Sequence, residues 1–201
     1  MGSGFRDFAT NEVLTSANVN NYLMTQAVMS FSSTTTRDSA LSGSLAEGMV
    51  AYTRDTNSMW WYDNTDWQAL FTGWSTFTPS WTGLTVGSAT QTARWRIESG
   101  CMRISLLITL AADSAIDSSS TYFTIPALSS WTPSGGANYP VIGNVVAKDG
   151  TTDETGHAFV NSAGTAVLVY CGGNDITTTN PFTWTTGDQI YVDISIPVDA
   201  A

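Results

Sequence analysis

Apolar positions change their period once along this chain. Between residues 16 and 30, Ala17, Val19, Tyr22, Leu23, Ala27 and Val28 recur at spacings of about three and four through asparagine-rich polar positions, and Thr15 and Ser16 stand where they can cap. The spacing predicts a helix over 16–30. It is amphipathic but poor in charge, so it must pack on the hairpins that follow or on copies of itself. A serine/threonine run fills Ser30 to Thr36, and Arg37 to Leu41 adds one helical turn before Ser42-Gly43-Ser44 breaks it.

The period then shortens to two. Residues 48–53, 58–63 and 67–71 read as three short strands joined through Arg54-Asp55-Thr56-Asn57 and Asn64-Thr65-Asp66, a small meander. A sheet this small needs large side chains to hold it, so Trp60, Trp61 and Trp67 read as core or subunit contacts. Thr72 to Thr76 look like a boundary. Beyond it, residues 91–98, 101–110, 122–125, 139–147, 156–161, 165–171 and 189–198 alternate or run apolar between glycine and proline punctuation, with no helical period among them. The fold expected is mainly β: a helix and meander module over 1–72, then an antiparallel, jelly-roll-like β-sandwich over 73–201.

Composition sharpens this picture. Thirty threonines and 23 serines among 201 residues favour strands and loops, and only 12% of residues are charged. Seven basic residues, Lys148 the single lysine, face 17 acidic ones for a net charge of −10. Nucleic acid and anionic membranes are therefore unfavourable partners, and no apolar run reaches the ~18 residues a membrane span requires. The first seven residues lack the basic and apolar regions of a secretory signal, which favours free thiols at Cys101 and Cys171 over a bridge.

Candidate chemistry is sparse. His157 is the only histidine, no Gly-x-Ser-x-Gly elbow accompanies it, and one histidine with two cysteines seventy positions apart does not make a zinc set. Asp113 with Asp117, and Asp149 with Asp153 and Glu154, offer carboxylate pairs of the kind glycoside hydrolysis uses. Both groups fall in segments that read as turns, where acidic residues usually serve the turn itself, and the second could also form a calcium loop. No catalytic, cofactor or metal residue is assigned. What remains is recognition: Trp81, Trp131 and Trp184 stand in Phe-Thr-Pro-Ser-Trp, Ser-Trp-Thr-Pro and Pro-Phe-Thr-Trp segments as candidate sugar-stacking platforms, or as loop plugs.

Two stretches carry a resemblance. Phe8 to Met29, with its string Val19-Asn20-Asn21-Tyr22-Leu23-Met24, followed by Glu47 to Tyr52 and Trp61 to Trp67, resembles the N-terminal segment of tailed-bacteriophage minor structural and tail-fibre proteins. Phe77 to Gly87, Thr92 to Trp95 and Pro181 to Asp188 are similar to the β-rich C-terminal domain of the same virion proteins. The resemblance implies a non-enzymatic virion component assembled in the host cytoplasm, a short tail, collar or head appendage. Its N-terminal module would trimerise or dock on other virion proteins of tail, neck or capsid, with Val19, Tyr22, Leu23, Trp60, Trp61 and Trp67 as contacts. Its C-terminal domain would be displayed toward host cell-surface glycan, with Trp81, Trp131 and Trp184 as contacts. A stand-alone carbohydrate-binding module and a polysaccharide depolymerase are the alternatives.

Overall fold

The structure is a computed structural model that describes residues 8–24, 27–117, 120–126, 141–150, 152–161 and 165–197. The chain is mainly β. It divides into two units, Met1–Gly73 with Ile97–Ser99, and Trp74–Arg96 with Gly100–Ala201.

In the first unit the helix is much shorter than its spacing suggests. Ser16–Asn18 (α1) makes one turn, capped by Thr15 Oγ1, which accepts from the Asn18 amide at 3.1 Å, and Val19–Leu23 continues it as a π-helical turn. Helix then gives way to strand. Met29–Phe31 (β1) pairs in parallel with Val50–Thr53 (β2), setting Met29 beside Ala51 and Phe31 beside Thr53. Asn18, Asn20 and Asn21 are weak helix formers and no residue of α1 is buried, so nothing offsets the cost of extending the helix, whereas an available strand edge rewards the alternating Met29-Ser30-Phe31. The second helix errs the other way: Thr34–Leu41 (α2) starts inside the hydroxyl run, because Ser33 Oγ accepts from the Thr36 amide at 3.1 Å as an N-cap.

The meander forms as expected. Ser58–Tyr62 (β3) and Trp67–Phe71 (β4) extend β2 antiparallel, with Val50 opposite Trp61 and Tyr62 opposite Trp67. Asp63 ties the second turn, accepting from the amides of Thr65 and Asp66 at 2.8 Å each and from the Gln68 side chain at 2.9 Å. Those donors, the Asp66 amide foremost, hold its carboxyl below the usual value.

The second unit carries Ser75–Thr76 (β5), Trp81–Thr82 (β6), Leu84–Thr85 (β7), Thr90–Glu98 (β8), Cys101–Thr109 (β9), Ala115–Ile116 (β10), Tyr122–Thr124 (β11), Val141–Asp149 (β12), Thr152–Val160 (β13), Ala166–Cys171 (β14), Asn174–Asp175 (β15) and Gln189–Pro197 (β16). The tip of the β8–β9 hairpin, Ile97–Ser99, groups with the first unit. From β9 the hydrogen-bonded order runs β9-β16-β12-β13-β14-β11-β6, every pairing antiparallel, and β7 with β10 makes a separate pair. The ladder is therefore continuous through the large strands, and hydrogen bonding does not split it into two large sheets. The last strand, β16, lies in the middle, between β9 and β12.

Period-two burial builds the core. Met102, Ile104, Leu106 and Ile108 of β9 and Ile190, Val192, Ile194 and Ile196 of β16 are buried on one face, joined by Val145, Ala158, Val167, Val169 and Phe123. Glycine is required where strands approach most closely. A Cβ on Gly156 would run into the Tyr170 carbonyl and stand 2.7 Å from Cys171 Cα, so any side chain there would push β13 off β14.

The acidic segment around residue 150 is not a loop. Strand pairing continues to Asp149 opposite Thr152, with Lys148 opposite Asp153, so the calcium loop of the sequence reading is replaced by a tight hairpin. Asp153 and Glu154 are adjacent in one strand and point to opposite faces, which removes them as a ligand pair. Cys101 and Cys171 are both free, Cys171 buried and Cys101 partly exposed.

Candidate functional site

The three tryptophans of the meander have different surroundings. Arg37, on α2, is 4% exposed, and its guanidinium lies 4.4 Å from the Trp67 ring and 5.1 Å from the Trp60 ring. Its Nε donates to Asp38 Oδ1 at 2.8 Å and Nη2 lies 2.7 Å from the same oxygen, while Nη1 has no partner. Trp60 Nε1 donates to Thr53 Oγ1 at 3.0 Å. Trp60 and Trp67 thus serve the interior of the module, and Trp61, exposed, is the one of the three facing outward. Arg37 escaped the sequence reading because a buried arginine on a polar helix has no periodic signature.

Around α1, Tyr22 packs edge-on against Phe8 at 6.2 Å, Val19 is half-buried and Leu23 is exposed. The first unit leaves still more apolar surface open. Val13 is 81% exposed, Met24 54% and Val28 55%, with Leu14 and Leu45 also uncovered. In the described second unit only Trp74 and Tyr191 are comparably exposed large hydrophobes, and the Arg94 and Arg96 guanidiniums lie 4.7 and 4.8 Å from the Trp74 ring.

Of the proposed sugar platforms, Trp81 is a plug: it packs on the buried Phe123 at 5.1 Å, and its Nε1 donates to Gln91 Oε1 at 2.8 Å. Trp131 lies outside the described residues. Trp184 lines a cavity of about 440 Å³ between residues 110–116, which leave β9, and residues 178–186, which lead into β16. The two segments meet because their strands are neighbours, and the ladder extends into them through the Leu110 amide to the Asp188 carbonyl at 2.8 Å and the Gly187 amide to the Leu110 carbonyl at 2.9 Å.

The walls are fixed by their own bonds. Trp184 Nε1 donates to the Thr177 carbonyl at 2.9 Å and its ring packs on Phe182 at 4.6 Å. Asp188, buried, accepts from the Thr185 amide at 2.6 Å. Across the cavity Ser114 Oγ donates to the Val86 carbonyl at 2.7 Å and accepts from the Ala111 amide at 2.9 Å. Among the described residues no charged side chain lines the space. The Thr-rich run 177–179 and Thr185-Thr186 were the available sequence signal for this site, with no role assigned to them from sequence.

Of the candidate carboxylates, Asp113 is tied to the segment after β7. Asp113 Oδ1 accepts from the Ser88 hydroxyl at 2.6 Å and the Ser88 amide at 2.8 Å, and these donors, the hydroxyl first, pull its carboxyl below the usual range. His157 is exposed in a row that crosses five strands: Ser105, Asp193, Asn144, His157 and Tyr170. At ~4.8 Å per strand, Asp193 is about 10 Å and Ser105 about 14 Å from His157, too far for a Ser-His-Asp relay. Among the described residues no three His, Cys, Asp or Glu side chains are grouped to hold a metal ion, and no helix is long and apolar enough to cross a membrane.

Comparison with known protein families, curated proteins and solved structures gives no match.

Proposed function

We propose that this chain is a non-enzymatic structural protein of a tailed-phage virion, a short tail, collar or head appendage. Its first unit assembles as a homotrimer and docks on the particle; its second unit is displayed. One observation carries the reading: the first unit leaves Val13, Leu14, Met24 and Val28 open to water while, among the described residues, its interior holds little beyond Met49, Ala51, Thr53, Ser58 and Arg37. Apolar surface concentrated in one small module marks an association surface, because each Å² covered gains about 25 cal/mol. Copies related by a closed symmetry axis would cover it, which suits an appendage set on such an axis. The resemblance of residues 8–29 and of the hairpins after them to phage structural proteins supports the same assignment.

Antibodies raised against residues 73–201 should label intact virions in immunogold electron microscopy, and light scattering on the purified chain should give three times the single-chain mass. Unlabelled particles overturn the virion assignment. A single-chain mass at micromolar concentration overturns the trimer.

A further inference from the structure

We infer that the cavity at Trp184 binds an uncharged pyranose ring of a glycan. The inference rests on the reading that the second unit is displayed, and it names what that display would recognise.

The lining selects the class of ligand. With no charged side chain among the described residues that line the cavity and a net charge of −10 on the chain, an anion gains no partner there and is repelled at long range. A purely apolar ligand fits poorly too, because hydroxyl-bearing Thr178, Thr185 and Thr186 interrupt the apolar wall of Leu110, Ala112 and Ile116. A pyranose presents the matching pair of surfaces, a face of C–H groups and a rim of hydroxyls. Trp184 offers an aromatic wall for the first. The Thr178 and Thr186 hydroxyls, which bond to no other described group, offer donors and acceptors for the second.

The site is also built in advance. The indole is locked by its bond to the Thr177 carbonyl and by Phe182, Thr185 is tied to Asp188, and Ser114 fixes the facing wall, so little side-chain freedom remains to be lost on binding. A volume of about 440 Å³ lies in the lower part of the ~300–1,000 Å³ range of small-molecule sites.

Saturation-transfer-difference NMR on the full chain tests this with the methyl glycosides of glucose, galactose and N-acetylglucosamine, and with that of N-acetylneuraminic acid as the anionic comparison. At least one neutral glycoside should receive saturation, most strongly at its ring C–H protons. Trp184→Ala should weaken binding about tenfold. Ala112→Arg, an exposed position on the cavity wall, should abolish it with the melting temperature unchanged, which guards against a misfolded Trp184 variant. Silence from all three neutral glycosides at on the order of 10 mM, ample for a millimolar Kd, overturns the inference. So does a stronger signal from the anionic sugar, or neutral binding that survives Ala112→Arg. The virion reading fails separately: a chain that binds a glycoside but labels no particle keeps the cavity and loses the virion, and a labelled particle with a chain blind to glycosides does the reverse.

Discussion

Arg37→Ala is the substitution that most directly probes how a module with so small an interior holds together. The side chain is 4% exposed and its guanidinium lies against two indoles. Truncation removes its packed stem, about 2–3 kcal/mol by comparison with buried large-to-small changes. It also removes two cation–π contacts, about 1–2 kcal/mol together. The ion pair adds less than about 1 kcal/mol, because Asp38 is 56% exposed. Against these stand relief of the unpartnered Nη1 and of a desolvated charge, about 2 kcal/mol. Packing wins, with a net cost of about 2–3 kcal/mol.

Amide hydrogen exchange of the intact protein reads this out strand by strand. Exchange in β2, β3 and β4 should accelerate about 30- to 150-fold if it proceeds by opening of the module, while β9 and β16 keep their protection. Arg37→Met, which keeps the volume and discards both the charge and the orphaned N–H, should cost about 1 kcal/mol or less. An Arg37→Ala protein that exchanges like wild type refutes the packing account. A methionine variant as loose as the alanine variant refutes it differently, by showing that charge rather than volume holds the tryptophans.

Other expectations follow from single contacts. Gly156→Ala should destabilise the second unit by about 3 kcal/mol and lower its melting temperature by about 10 °C, since the new methyl meets backbone rather than a yielding side chain; an unchanged melting curve would show that β13 and β14 can part freely. The folded pKa of Asp113 is depressed below its ordinary 3.8, so its stabilisation is present above that value and is lost as pH falls through the folded pKa. Asp113→Ala should accordingly melt below wild type at pH 7 and level with it well below pH 3.8, and a gap that persists in acid would remove the carboxylate as its cause. Burial raises the Cys171 thiol above its usual value while Cys101 is partly exposed, so a thiol reagent should titrate one thiol in the native protein and two in denaturant; zero in both would mean a bridge.

Legibility of the fold followed the physics of each segment. Strands of the second unit were readable because β9 and β16 bury every other residue, and a period of two survives whatever the partner strand is. The early start of β13 was not, since Thr152 to Thr155 carry no apolar alternation and are held only by backbone pairing with Val146 to Asp149. The helix over 16–30 failed for a related reason. Its spacing counted Ala27 and Val28 as part of an apolar stripe, yet both are exposed, so there was no buried face for the stripe to fill.

The same contrast separates what could be known of the sites. Tryptophan content singled out segments but not their roles, because an indole serves equally as plug, clamp or platform, and neighbours far away in sequence decide which. Phe123 makes Trp81 a plug, Arg37 turns Trp60 and Trp67 inward, and the chain leaving β9 turns Trp184 into a cavity wall. Hydroxyl-rich loops become informative only once strand order is known. Placing β16 beside β9 is what brings Thr178 and Thr186 opposite Ala112, so the candidate cavity is a product of topology, and changes that leave every lining residue intact but disturb that pairing should erase it.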